Sequence, residues 1–315
     1  MEELYKKAEK IKSLEIQGAT SVALSAIQFL SDYAHEIEKE CQCPDDWFNK
    51  LDEAKEILFK TRETEPTMRN GLNYIIKKLE KNRVQIECGN ILELILKYKE
   101  EYKVKIEEAK KKIAEFGARR IPEIVEENQF IVMTHCHSSF VDAILIKAKE
   151  QGKCFKVIST ETRPRFQGRK SVNVLRKEGI DVIHVVDSAM RWAVNYFEVD
   201  LIIIGADSIT SEGTVLNKIG SRLLALVAHE EHVPFYVASP LLKYNPQTSL
   251  GILEKIEMRD SKEIWENPPE GVNILNPAFE TVSRRYIDGL ISEAGIFASS
   301  HVPTYFNKLY PELIF

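Results

Sequence analysis

Phe130 to Ser139 reads FIVMTHCHSS, and Leu201 to Lys218 reads LIIIGADSITSEGTVLNK. Each stretch opens on a short apolar run rich in Val and Ile, the composition of a strand covered on both faces in a parallel sheet. Each run then breaks into small and polar residues, and a helical pattern follows. In an open α/β sheet, ligands occupy the crevice outside the carboxyl ends of the strands. Cys136 and Asp207 stand at that place after two different strands. A thiol and a carboxylate are therefore expected to face one pocket.

Outward from these stretches, strand and helix patterns alternate. Strands are expected at Phe130–Thr134, Phe155–Ser159, Asp181–Val185, Leu201–Gly205 and Pro234–Ala238. Helices are expected at Val141–Glu150, Arg169–Glu178, Ser188–Tyr196 and Lys218–His229. Repeats of this length specify right-handed strand–helix–strand units and a parallel, doubly wound sheet. The section Ile256–Ile291 reads as strand, loop, strand, loop, helix. Before about residue 118 the pattern is helical throughout, with helices at Glu2–Leu14, Ala19–Glu38, Trp47–Lys60, Met68–Leu79 and Ile86–Phe116. Asp45 is placed as the cap of the third, and Thr64 with Pro66 as the break before the fourth. The fold class is thus α/β: an N-terminal helical domain (1–118), then a Rossmann-like, mostly parallel doubly wound sheet (119–315). The aromatic C-terminal piece, with Phe297, Tyr305, Phe306, Leu309, Tyr310 and Phe315, is expected to pack into a subunit interface.

At 315 residues, with 44% hydrophobic and 29% charged residues, the chain can build a full core. The net charge of -5 argues against nucleic acid as a direct partner, because phosphate backbones demand a positive footprint. Five cysteines, at 41, 43, 88, 136 and 154, lack disulfide-like spacing and suggest a reducing compartment. The lone C-x-C of Cys41 and Cys43 has no second ligand pair, and His135 with His137 makes no metal triad. No apolar run reaches the ~18–20 residues of a membrane helix, and the start lacks signal-peptide character. A cytoplasmic protein without membrane contact is expected. Neither G-x-G-x-x-G nor a P-loop occurs, so no cofactor is expected.

Six segments then fall in order: THCHS (134–138), ETRPRFQGR (161–169), GADSITSEGTVLNKIGS (205–221), PFYVASPLLKY (234–244), IEMRD (256–260) and NPAFE (276–280). Together they resemble the archaeal ribose-1,5-bisphosphate isomerases, a family grouped with methylthioribose-1-phosphate isomerase and the α, β and δ regulatory subunits of initiation factor 2B. The resemblance covers nearly all of the α/β part and, more faintly, the helical part. It implies conversion of ribose-1,5-bisphosphate to ribulose-1,5-bisphosphate in nucleoside and AMP degradation. It also implies AMP as activator and a homo-oligomer, dimer or hexamer. The alternative it carries is a noncatalytic regulatory subunit that binds initiation factor 2. A methylthioribose-1-phosphate isomerase is a third reading.

By resemblance, Cys136 is the base and Asp207 the acid; the regulatory subunits generally lack one or both, and this chain keeps both. A cysteine where a helix begins is expected to have some thiolate character. Asp207 must be protonated to donate, which an apolar neighbourhood favours. For the phosphates the resemblance implies Gln17, Gly18 and Ala19, Arg62, Ser138 and Ser139, Asn217 and Lys218, and Lys243. The chain departs from the family at several of these. The phosphate loop R-G-A-A reads Gln17-Gly18-Ala19-Thr20, the R-P-T-A segment reads Arg62-Glu63-Thr64-Glu65, and a common Lys is Ser139. Replacing Arg by Gln removes both the charge and the bidentate fork. The basic loop of Arg163, Arg165 and Arg169 flanks the pocket or contacts another subunit.

Overall fold

The two decisive stretches form neighbouring strands, β1 (Phe130–Thr134) and β4 (Leu201–Ile204), paired in parallel at Val132↔Leu201 and Met133↔Ile202. This is seen in a computed structural model that describes residues 1–62, 64–83, 88–123 and 129–314. On the other side of β1 lie β2 (Phe155–Thr160) and β3 (Asp181–Val185). Beyond β4 come β7 (Phe235–Ala238), β9 (Gly289–Ser292) and β10 (Gly295–Phe297). The order β10-β9-β7-β4-β1-β2-β3 is parallel except for the antiparallel edge strand β10. The chain walks outward from β1 to β3, then returns to β4 on the opposite side. Strand order therefore reverses between β1 and β4, which makes the crevice at their carboxyl ends the ligand position of such sheets.

Crossover helices cover the sheet: α6 (Ser139–Glu150), α7 (Gly168–Lys177), α8 (Met190–Tyr196) and α9 (Ser221–Glu230). The core beneath them includes Val132, Ile144, Leu145, Val157, Ile203 and Ile291, all fully buried. A second, three-stranded sheet joins β5 (Ser208–Ile209), β6 (Val215–Lys218) and β8 (Phe279–Val282), all antiparallel. It falls where a loop and the start of a helix were expected, so Lys218 ends a strand and does not open a helix. Gly213, at φ 83, closes the β5–β6 hairpin, and Gly220, at φ 103, delays the helix to Ser221. Left-handed backbone of this kind is cheap only for glycine.

The helix expected before Ile291 is also corrected. Gly295, at φ 118, turns the chain, and the GLIS and GIF segments pair as β9 and β10. A helix follows only at α10 (Val302–Leu309). Of the expected strands in 256–282, the first is a single bridge, Met258↔Pro277, and the second is β8.

The chain divides into two compact units. The first holds Met1–Glu107, Leu242–Pro246 and Phe306–Phe315; the second holds Glu108–Leu241 and Gln247–Tyr305. In the first unit α1 (Glu2–Lys12), α2 (Ala19–Ile37), α3 (Pro44–Phe59) and α4 (Pro66–Lys81) pack together, and the Tyr102 ring of α5 (Ile91–Ala118) lies 5.5 Å from the Tyr74 ring of α4. On α2, Val22, Ala23, Ala26, Ile27, Leu30 and Ala34 are buried at the three- and four-residue spacing of one helix face. Pro44 takes the first turn of α3, so the cap is Cys43, and Asp45 sits inside the helix. Pro66 likewise starts α4 where a break was expected, since proline's missing N–H is harmless at a first turn. The segment 242–246 is pinned to α4 by Asn70 Nδ2, which donates to the carbonyls of Leu242 (2.8 Å) and Tyr244 (2.9 Å).

Phe306 and Tyr310 are buried, with Phe306 edge-on to Tyr244 at 5.0 Å. The expectation that they face another subunit is therefore corrected: they fill their own chain's core. Phe315, Glu63 and the expected helix start at Ile86 lie outside the described residues.

Candidate active site

Cys136 lies just past β1 and before α6, whose cap is Ser138. Its backbone is left-handed, φ 68. That conformation costs a non-glycine residue about 1–2 kcal/mol, and it persists only where neighbours hold it. The neighbours are identifiable. Cys136 N donates to Thr162 Oγ1 at 3.0 Å, in the loop after β2. Thr162 is itself left-handed, φ 61, and its N–H donates to Asp187 Oδ1 at 2.8 Å, just past β3. The same carboxylate takes the Arg163 N–H at 2.7 Å.

His135 is fixed on the other flank. Its Nε2 lies 2.8 Å from the Ile219 carbonyl, which only accepts, so Nε2 carries the hydrogen. Nδ1 then accepts from Thr160 Oγ1 at 2.6 Å. Burial pushes this imidazole's pKa down, so it stays neutral and serves as a strut. Gly220 packs so close that an added Cβ would meet the His135 ring at 2.8 Å.

Asp207 follows β4, with its N–H donated to the Leu216 carbonyl of β6 at 2.8 Å. The loops after β1 and β4 touch: a Cβ on Gly205 would lie 2.7 Å from the Ser138 side chain. The thiol and the carboxylate are near enough to interact. Burial pushes the Cys136 thiol up to about 11; Lys218 opposes that rise, and the Asp207 charge adds to it. The expected thiolate character is thus corrected. Cys136 precedes the helix cap and is not in the first turn, so the dipole's help is outweighed by lost hydration.

Lys218 is buried at the end of β6, its Nζ 4.4 Å from the centre of the Phe279 ring. It lines a cleft with Arg165, Gln167, Arg259, Glu263 and Asn276. The Oε1 of Gln167 is buried with no hydrogen-bond partner among the described residues, an acceptor suited to a ligand hydroxyl. Arg165 and Arg259 share the Glu263 carboxylate, each at 2.9 Å. Asn217 is buried and donates to Ser221 Oγ at 2.9 Å.

Cys136, Ser138, Ser139, Asp207, Asn217 and Lys218 belong to the second unit. Gln17, Gly18, Ala19, Arg62 and Lys243 belong to the first. There Gly18, at φ 89, caps α2 and Ala19 begins it, while Gln17 Nε2 is turned to the Leu14 carbonyl at 2.8 Å. Buried Arg62 pairs with buried Glu65 at 3.0 Å, and Lys243 is buried in a 3-10 turn. Thr162, Asp187 and Gln167 were not singled out from sequence. An Asp directly after an apolar strand run was the available signal for Asp187.

Comparison with known proteins places this arrangement among relatives. Residues 15–299 match the model of the Initiation factor 2 subunit family. A ribose 1,5-bisphosphate isomerase of Archaeoglobus fulgidus is 39% identical over 94% of this chain and 90% of its own. The crystal structure of Pyrococcus horikoshii translation initiation factor eIF-2B superposes with a TM-score of 0.77, at 29% identity, covering 95% of this chain and 98% of its own. The 5-methylthioribose 1-phosphate isomerase of the same organism gives 0.76 at 26% identity, covering 97% and 88%.

Proposed function

The chain belongs to the Initiation factor 2 subunit family, and within it we propose an aldose–ketose isomerase that converts ribose 1,5-bisphosphate to ribulose 1,5-bisphosphate. The observation that carries this reading is the placement of Cys136 and Asp207 at the sheet's reversal point, on a chain 39% identical to a named ribose 1,5-bisphosphate isomerase. A noncatalytic regulatory subunit is not favoured, because it has no use for a thiol and a carboxylate held together.

The chemistry requires two protons in and two out. A proton goes to the ring oxygen as the C1–O bond breaks, and the C2 proton leaves to form an enol phosphate. C1 then takes a proton while the C2 hydroxyl loses one, leaving the ketone. If Cys136, as its thiolate, takes the C2 proton and returns it to C1, the thiolate ends as it began. If Asp207, as its protonated carboxyl, protonates the ring oxygen and later accepts the hydroxyl proton, the carboxylic acid also closes its cycle. The phosphates are assigned to the α2 start at Gly18 and Ala19, to Arg62, to the α6 start at Ser138 and Ser139, and to Asn217, Lys218 and Lys243. Helix N-termini and buried cations suit anions. Gln17 supplies only a neutral amide where the family has an arginine. Gln167 adds an acceptor for a sugar hydroxyl.

A homo-oligomer, AMP as activator and a cytoplasmic location complete the proposal. Among the described residues no helix is long and apolar enough to cross a membrane. The test is to incubate the protein with ribose 1,5-bisphosphate, with and without AMP, and follow ribulose 1,5-bisphosphate. Cys136→Ser and Asp207→Asn should each lower turnover by about 100–10,000-fold, the range of a lost acid or base. Absence of product from the unaltered protein under both conditions would overturn the reading and turn attention to binding of initiation factor 2.

A further inference from the structure

The basic loop between β2 and α7 carries Arg163, Arg165 and Arg169, none of which the proposed chemistry uses. Arg165 is already paired, its guanidinium 2.9 Å from the Glu263 carboxylate. The other two converge on one ring. The guanidinium carbon of Arg169 lies 3.8 Å from the centre of Phe166, and that of Arg163 lies 4.9 Å from it. Stacking takes up a face of the guanidinium and leaves its in-plane N–H groups for an acceptor. Among the described residues Arg169 reaches only the Glu161 carboxylate, at 4.0 Å, and Arg163 makes no ion pair. Two like charges gathered on one ring repel, and an anion beside them removes that cost.

The ring is held in place. Phe166 is left-handed, φ 57, a conformation uncommon for a bulky residue. Its N–H donates to the Thr162 carbonyl at 2.8 Å, and its carbonyl accepts the Arg169 N–H at 3.1 Å. The Asp187 carboxylate pins the start of the loop, its two oxygens taken by the Thr162 and Arg163 amides. Arg169 and Lys170 also stand in the first turn of α7, which holds no acidic residue. Cations are disfavoured at that end of a helix and anions are favoured.

We propose that Arg163 and Arg169, braced on Phe166, form a binding site for a phosphomonoester dianion, in the loop whose Pro164, Arg165 and Gln167 line the cleft. A tetrahedral phosphate offers enough charge and enough oxygens for both guanidinium forks, whereas a carboxylate is satisfied by one. Two sources share this chemistry: the phosphate of a sugar substrate and that of a free nucleotide. The site stands whether or not the chain is an isomerase, since binding here needs neither Cys136 nor Asp207.

The test is modification of the arginines by phenylglyoxal, read residue by residue by mass spectrometry, in inorganic phosphate against chloride at matched ionic strength. Millimolar phosphate should slow modification of Arg163 and Arg169 about tenfold, the worth of one charge-assisted contact. Exposed Arg285, which stacks on Tyr286 at 4.6 Å without a second arginine, should be unaffected. In Arg163→Gln the protection of Arg169 should be lost, and in Phe166→Leu that of both. If Phe166→Leu does not fold, Arg163→Gln decides, since that side chain is exposed. Ribose 1,5-bisphosphate and AMP then separate the sources in Cys136→Ser, where turnover does not intervene: the one that protects at the lower concentration supplies the phosphate. Equal modification of both arginines in phosphate and in chloride overturns the proposal. So does protection that is complete without phosphate and lifts on dilution to single chains, which makes the loop a contact between copies. Protection without isomerase activity leaves this site and removes the proposed function, and activity without protection does the reverse.

Discussion

On the proposed isomerase reading, Cys136 acts as a base in a place that disfavours its charge. Burial pushes the thiol up to about 11, with Lys218 the chief opposing influence. A raised thiol pKa leaves the active form scarce near neutrality, and that form grows about tenfold per pH unit until the pKa is reached. Turnover is therefore expected to climb with pH from 7 toward 10, and a stopped assay of kcat across that range checks it. Lys218→Met should steepen the requirement, moving the rise further to the alkaline side, because a cation that favours the thiolate is gone. A flat profile would show that proton removal at C2 does not limit the rate. The placement of the proposed pair, Cys136 and Asp207, after two neighbouring strands was legible in the sequence because each member follows an apolar run. The residues that hold the pair were not. Thr162 and Asp187 accept backbone N–H groups supplied by two different loops, and one-dimensional spacing carries no trace of such contacts.

At the scale of elements, the least legible piece was the small antiparallel sheet, and it is the piece that shapes the site. Its strand β6 carries Asn217 and Lys218, while its strand β8 carries Glu280. The Glu280 Oε1 accepts the N–H groups of Gly220 (2.5 Å) and Arg222 (3.1 Å), the open amides at the start of α9. A side chain from a distant strand thus does what a local Ser or Asp does at most helix starts. Sequence periodicity ran the helix back to Lys218 because VLNKIGSRLL alternates too briefly to separate a four-residue strand from a first helical turn. Glu280→Ala removes a charged acceptor from two amides and is expected to cost about 1–3 kcal/mol, seen as a lowered midpoint in urea unfolding. Glu280→Gln should recover part of the loss. The parallel strands, by contrast, were readable nearly to the residue, since unbroken Val and Ile runs of this length have few other uses in a chain that can bury them.

For the molecule as a whole, the segment 250–275 poses the question of partners. Leu253 is 87% exposed, Leu250 69% and Leu275 68%, with Met258 and Trp265 also half-exposed. Beyond 3-10 turns at Pro246–Leu250 and Ser261–Glu263, the segment has no helix or named strand. Covering one Leu is worth about 1.5–3 kcal/mol. Several of them on one connection make a strong reason for association. A second copy of the chain is the partner that a homo-oligomer supplies, and hydrophobic contact suits it better than charge, since two chains of net charge -5 repel. Leu253→Asp with Trp265→Asp is then expected to lower the sedimenting mass toward that of one chain at micromolar concentration. Added salt should tighten the unaltered assembly by screening the repulsion. If the unaltered protein sediments as a single chain at low and high salt, the apolar connection serves another purpose and the homo-oligomer is lost from the account. If the mass falls in the variant while turnover per chain holds, assembly is separable from the chemistry at Cys136. If both fall together, the chemistry needs the assembled state, and addition of the unaltered chain to the variant should restore turnover in proportion to the mixed oligomers formed.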